Sequence, residues 1–211
     1  MIGIIDYGMG NLFSVSKALE RLGVDYFVSE DKKKLAGADA LILPGVGSFK
    51  DAMERLNETG LSEMVKQYAG SGKPLLGICL GMQLLFAQSE ENGQTDGLAL
   101  LPGKVIRFSG EKAGTPYKVP HMGWNRLRFV NKSPILSGIS EDFVYFVHSY
   151  YVNTKERNVV IADCEYDVAV PAVVGKGNVY GMQFHPEKSG SLGMSLLQNF
   201  TQLTKERTNQ S

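Results

Sequence analysis

Apolar residues in the first half of the chain fall into short runs separated by stretches of helical spacing. IGIID reads as a buried strand and YGMGN as a turn, while LFSVSKALERLG repeats its apolar positions with helical period before closing on Gly23. The pattern recurs in DYFVSE, in the buried run ADALILPG with its glycine turn GVGSF, and in a helical segment reaching about residue 70. PLLGIC then reads as a strand, followed by a helix over GMQLLFAQSEE. Strands alternating with helices predict an α/β fold, a three-layer sandwich around a mainly parallel sheet, with ligands at the strand C-terminal ends.

The second half changes character. KVIRF, NRLRFV, FVYFVHSYY and VVIADC read as strands with little helix between them and predict antiparallel strands that extend the sheet. AVVGKGNVYGMQFH reads as a hairpin turning at Lys176-Gly177-Asn178, and GSLGMSLLQNFTQLTKE as a terminal helix before a polar tail from about residue 205. With no repeat, linker or low-complexity block, residues 1–211 read as a single domain. The basic triplet Lys32-Lys33-Lys34 reads as a solvated loop face.

Composition narrows the partners. With 211 residues, 43% of them hydrophobic, the chain can bury one sizeable core. Its 22 basic and 22 acidic residues balance, so no global field draws nucleic acid or an anionic membrane, and the ligand is expected to be small or another protein. MIGIIDYG lacks a basic leader region, and Gly77, Gly81 and Gln83 interrupt the apolar run around residue 80, so a cytoplasmic location is expected. Two cysteines, Cys79 and Cys164, make neither a disulfide framework nor a metal site, which suits a reducing compartment. Asn-x-Ser/Thr triplets such as those at Asn57, Asn131 and Asn199 then read as chance matches.

One cysteine carries candidate chemistry. Gly77-Ile78-Cys79-Leu80-Gly81 has the spacing of a nucleophile elbow, a strained strand-to-helix turn that needs small neighbours two residues either side. A helix N-terminus beneath the sulfur would favour its thiolate. Taken alone, an apolar-flanked cysteine is more often an inert core thiol than a catalyst. Of the three histidines, His185 ends the strand GNVYGMQF with Glu187 two residues on, so strand alternation puts imidazole and carboxylate on one side, as an oriented base requires. His148 reads as a polar strand-end residue supporting a pocket, and His121, with no carboxylate nearby, as a surface or interface residue. In Leu43-Pro44-Gly45-Val46-Gly47 a strand runs into glycines that let a peptide turn its N–H toward an oxyanion, so the Val46 and Leu80 N–H groups form a candidate oxyanion hole. Nucleotide binding is the weaker reading of this turn, because no Walker lysine follows and the spacing is not G-x-G-x-x-G.

A cysteine elbow, a downstream His-x-Glu and an early Pro-Gly-x-Gly turn, in that order, resemble the class I (triad-type) glutamine amidotransferase family, whose fold is a flavodoxin-like sandwich. IDYGMGN, LPGVGSF, GICLGMQLLF, VPHMGWN, FVHSYY and QFHPEKS resemble more narrowly the branch that supplies ammonia to a (β/α)8-barrel cyclase subunit in histidine biosynthesis. That resemblance implies a glutaminase acting on L-glutamine in a heterodimer with the barrel, without metal or cofactor. It implies Cys79 as nucleophile, His185 as acid/base and Glu187 as its orienting carboxylate. Gly47, Gln83, Glu91, Ser149 and Tyr150 match positions that read the amino-acid end of glutamine; Asn11, Trp124, Tyr145 and Lys188 match the partner face. A carboxylate at Glu91 suits an ammonium, and Gln83 lies one helical turn after Cys79. A related subunit serving another acceptor, such as a surface-sugar pathway, or a free-standing γ-glutamyl hydrolase, would carry the same residues. The branch is further expected to switch on when its partner binds nucleotide, with the Gly45-Val46 peptide as the moving part.

Overall fold

The structure, a computed structural model, describes residues 1–208, with side chains described through Thr204, so the polar tail expected from about residue 205 lies outside the described side chains. The first half forms β1 (Ile2–Ile5), α1 (Leu12–Arg21), β2 (Tyr26–Ser29), α2 (Lys32–Ala36), β3 (Ala40–Leu43), α3 (Phe49–Glu58), α4 (Leu61–Gly70), β4 (Leu75–Ile78) and α5 (Leu80–Leu84). There follow β5 (Phe86–Ser89), β6 (Thr95–Asp96), β7 (Leu101–Arg107), the small pair β8 (Glu111–Lys112) and β9 (Thr115–Pro116), β10 (His121–Arg126) and β11 (Arg128–Phe129). The chain ends with β12 (Phe143–His148), β13 (Tyr150–Asn153), β14 (Val160–Tyr166), β15 (Val168–Lys176), β16 (Val179–Met182) and α6 (Gly190–Thr208).

Among the described residues an eight-stranded sheet runs in the order β11-β14-β15-β16-β4-β3-β1-β2. Pairs from β2 through β1, β3 and β4 to β16 are parallel, the flavodoxin-like order, and β15, β14 and β11 extend it antiparallel, as the sequence predicts. Every residue of β1, β3, β4 and β16 is buried because helices cover both faces. Alternation divides the side chains: Ile2, Ile4, Ile42 and Leu76 pack with Leu19 of α1 and Leu196 and Phe200 of α6, while Ile5, Leu41, Leu43 and Leu75 pack with Leu35, Phe49, Leu56 and Val65 on the other face. A four-stranded sheet, β13-β7-β5-β6, and a two-stranded ribbon, β10-β12, flank this core.

Several elements differ from the sequence expectation. The Lys32-Lys33-Lys34 triplet is not a loop but opens helix α2, because the Asp31 side chain accepts the Lys34 N–H at 2.8 Å and caps it. The helix expected over GMQLLFAQSEE stops at Leu84. Phe86–Ser89 pairs instead with β7, and the successive burial of Leu84, Leu85 and Phe86 leaves no polar face for a helix to show to water. FVYFVHSYY breaks at Ser149, where the chain leaves the ribbon for the four-stranded sheet. β16 ends at Met182, so His185 is not on the strand: it precedes a 3-10 turn over Pro186–Lys188, where proline offers no N–H to a ladder. His121 is buried at 2% exposure rather than on the surface, stacked on Phe146 and Tyr166 at ring-centroid distances of 4.6 and 3.9 Å.

Candidate active site

Three neighbouring strands deliver their C-terminal ends to one place. β3 runs into Pro44-Gly45-Val46-Gly47, β4 into Cys79, and β16 toward His185, with the Cys79 N–H donating to the Met182 carbonyl at 2.8 Å. They open onto a cleft of about 410 Å³. Cys79, His185, Val46, Leu80, Gly47, Gln83, Glu91, Ser149 and Tyr150 all line it, so every residue expected to react with or bind substrate, apart from Glu187 behind His185, meets there. Pro120 and Val147 also line it, and neither stood out in the sequence because neither carries reactive chemistry; His148 joins them as the pocket support expected of it.

Cys79 has φ 55° and ψ −114°, a conformation that costs a side-chain-bearing residue about 1–3 kcal/mol. The packing of the turn enforces it. A Cβ on Gly81 would lie 1.9 Å from the Leu43 carbonyl oxygen, so only glycine lets the start of α5 close onto β3. Gly45 meets a similar limit: its Cβ would fall 2.8 Å from the Gly81 nitrogen and 2.9 Å from the Leu80 Cβ. The positive φ of the oxyanion turn sits at Gly47, at 99°, and not at Gly45. Tyr7, unremarked in the sequence, donates its buried hydroxyl to the Pro44 carbonyl at 2.9 Å; burial and the nearby sulfur push that phenol's pKa upward.

Cys79 stands at the start of the five-residue helix α5, where the sequence expectation puts it, and His185 is hydrogen-bonded to it. His185 Nδ1 and Glu187 Oε1 lie 2.9 Å apart, with the two side chains 7% and 2% exposed. Burial alone would push the imidazole pKa down, but hydrogen bonds with Cys79 and Glu187 and the charges of both outweigh it and raise the pKa to about 10. The other Glu187 oxygen is buried with no partner among the described residues, which leaves the carboxylate to His185. By contrast, Cys164 is buried in β14 with its thiol pushed up to about 12 by desolvation, as an inert core cysteine should be.

Around this centre the polar groups are held in place. Gln83 Nε2 donates to the Tyr150 carbonyl and to Gln183 Oε1, both at 3.0 Å. Glu91 lies in the turn after β5, where Oε2 accepts the Phe49 N–H at 2.9 Å. No cluster of three His, Cys, Asp or Glu side chains among the described residues is placed to hold a metal ion.

The four expected partner residues gather at the rim. Trp124 and Tyr145 face each other across the ribbon with ring centroids 6.0 Å apart. Tyr145 reaches the His185 turn through its N–H, which donates to Ser189 Oγ at 3.0 Å, and Lys188 is exposed on that turn. Asn11 caps α1, accepting the Ser14 N–H at 3.2 Å, and α1 packs beside the same turn. Met122, Trp124, Phe143 and Val147 make the outer ribbon face apolar, with exposures of 61%, 56%, 51% and 37%.

A carboxamide carbon resting on the Cys79 sulfur would have a base, its orienting carboxylate and turn amides around it, and such a cleft on a flavodoxin-like sheet defines a cysteine-dependent amidotransferase. A family model described as glutamine amidotransferase class-I matches residues 3–203, and the chain belongs to that family. Within it the chain is similar to subunits named imidazole glycerol phosphate synthase subunit HisH. The protein from Geobacillus kaustophilus is 65% identical over 99% of this chain and 100% of that one; the protein from Bacillus subtilis is 59% identical over 98% of each. Two solved structures show the same fold. One described as a glutamine amidotransferase gives a TM-score of 0.75 at 23% identity, covering 97% of this chain and 98% of that one. PurLQS from Thermotoga maritima gives 0.72 at 22%, covering 96% and 97%.

Proposed function

We propose that this chain is the glutaminase subunit of an imidazole glycerol phosphate synthase, hydrolysing L-glutamine to glutamate and ammonia. The observation that carries the chemistry is the placement of His185 between Cys79 and Glu187 at the cleft. With His185 already holding the proton it shares with Cys79, the sulfur attacks the γ-carboxamide carbon. The C–S bond forms while the carbonyl π pair moves to oxygen, where the Val46 and Leu80 N–H groups hold it at a typical worth of about 3 kcal/mol per donor. His185 gives its proton to the nitrogen as ammonia leaves, then takes one from the water that splits the thioester, which frees the sulfur beside the reprotonated imidazole. Glu91 receives the substrate ammonium, and Gly47, Gln83, Ser149 and Tyr150 hold the rest of its amino-acid end.

The ammonia passes to a HisF-type (β/α)8-barrel partner in a heterodimer, where it is built into imidazole glycerol phosphate with release of aminoimidazole carboxamide ribotide. The apolar ribbon face with Trp124 and Tyr145, together with Asn11 and Lys188, supports a partner surface beside the cleft, so that ammonia need not cross bulk water. Residues 1–211 act as one domain, in the cytoplasm; no helix among the described residues is long and apolar enough to cross a membrane.

A diazoketone analogue of glutamine tests the site directly. It should alkylate Cys79 and spare Cys164, and glutamine should protect against it. Labelling that glutamine does not slow would overturn the assignment.

A further inference from the structure

Two of the three histidines take no part in the chemistry above, yet both are buried and joined. His121 Nδ1 lies 2.9 Å from His148 Nε2, and His148 Nδ1 lies 2.8 Å from the Tyr150 carbonyl oxygen. The two are register partners at the end of the β10-β12 ribbon.

Their proton positions follow from the ends of the chain. A backbone carbonyl only accepts, so His148 carries its hydrogen on Nδ1 and its Nε2 is an acceptor. His121 Nδ1 must then donate, and His121 Nε2 accepts from Asn125 Nδ2 at 3.3 Å. Asn125 cannot be turned over: its Nδ2 also donates to the Glu165 carbonyl at 2.8 Å, and its Oδ1 accepts the Arg126 N–H at 2.8 Å. The array Asn125 to His121 to His148 to Tyr150 therefore runs in one direction, with both imidazoles neutral and protonated on Nδ1. Their depressed pKa values, about 4 for His121 and about 3 for His148, have burial as the main cause and agree with this.

The array ends in the wall of the cleft. At Ser149 the chain steps from the ribbon to the four-stranded sheet, and Ser149 and Tyr150 form one wall of the cleft. The Ser149 carbonyl is fixed by the Phe108 N–H at 3.1 Å, and the Tyr150 carbonyl by His148 and by Gln83. His121 donates to the other nitrogen of His148, and that bond holds the imidazole in the orientation that keeps its Nδ1–H on the Tyr150 carbonyl.

We propose that His121 and His148 are positioning residues that set the Ser149–Tyr150 wall for the amino-acid end of glutamine, so that removing the His121 donor weakens substrate binding and leaves the sulfur chemistry intact. This rests on the glutaminase reading. In complex with the barrel partner, His121→Phe keeps the ring stacked on Phe146 and Tyr166 but loses the donor. It should raise the KM for glutamine about tenfold, because the His148 ring, freed from its partner, no longer holds the Tyr150 carbonyl in place, with kcat within about threefold of the parent. Alkylation of Cys79 by iodoacetamide, which has no amino-acid end to bind, should proceed at the parent rate. His121→Asn, with an amide N–H near the Nδ1 position, should recover part of the KM. The unsubstituted protein supplies a check that needs no variant: histidine ring ¹⁵N shifts should show His121 and His148 both neutral and protonated on Nδ1.

An unchanged KM in a folded His121→Phe, a fall in kcat and alkylation rate with KM unmoved, or an Nε2–H tautomer at either ring would overturn the inference. A parent complex that releases no glutamate from glutamine would instead overturn the glutaminase reading, and the inference with it.

Discussion

The carboxylate of Glu187 holds the imidazole of His185 at 2.9 Å from within the same 3-10 turn, not from the next position along a strand. Pro186 between them opens that turn, and with Nδ1 held by Glu187, Nε2 is left for the sulfur and the substrate nitrogen. Glu187→Gln keeps the shape and removes the charge. It should lower kcat for glutaminase by about 10²-fold, within the usual range of general acid–base catalysis, with the KM for glutamine nearly unchanged; steady-state kinetics of the partnered enzyme check this.

The strained φ of 55° at Cys79 sets function against stability. Cys79→Gly should abolish turnover and yet give a protein more stable than Cys79→Ala by about 1 kcal/mol, since glycine alone accepts that conformation freely. At this chain length the difference is a Tm higher by about 2–4 °C, readable by calorimetry. Equal melting temperatures would mean that the elbow relaxes in the alanine variant.

Glu91→Gln separates binding from chemistry. Its Oε2 accepts the Phe49 N–H, which a glutamine oxygen can also do, so the cap on α3 should survive. Losing the charge opposite the substrate ammonium should raise the KM for glutamine by roughly 10- to 100-fold, the worth of a charged hydrogen bond, while kcat changes much less.

Stability should peak near pH 6.5–7. His121 and His148 are held neutral to about pH 4 and about pH 3, whereas the unfolded chain takes up those protons near pH 6.5. Their contribution is therefore complete above about pH 6.5 and is lost as the pH falls toward 4, by an amount on the order of a few kcal/mol. His185 acts in the opposite sense: with its folded pKa near 10, its contribution is full below about pH 6.5 and is lost as the pH rises toward 10. Urea unfolding at pH 5, 7 and 9 should show this dome, and His185→Gln should flatten its alkaline side alone.

The parallel half of the fold was legible because β1, β3 and β4 are buried on both faces and alternate with helices at the right period. The elbow was legible because packing at Gly81 admits no Cβ, a constraint written into the residue type. Tertiary choices were not legible. Phe86–Ser89 has helical spacing yet pairs with β7, and nothing local marks that preference. His121 looked exposed because its partners, His148, Phe146 and Tyr166, are all distant in the chain. Tyr7 escaped notice for the same reason, since its role depends on the Pro44 carbonyl 37 residues away.

Glutamate release from glutamine, measured for this chain alone, with a HisF-type barrel, and with barrel plus its nucleotide substrate, tests the central claim most directly. The account predicts strong turnover only in the last case, abolished by Cys79→Ala. Full activity of the chain alone, or silence in all three, would contradict it.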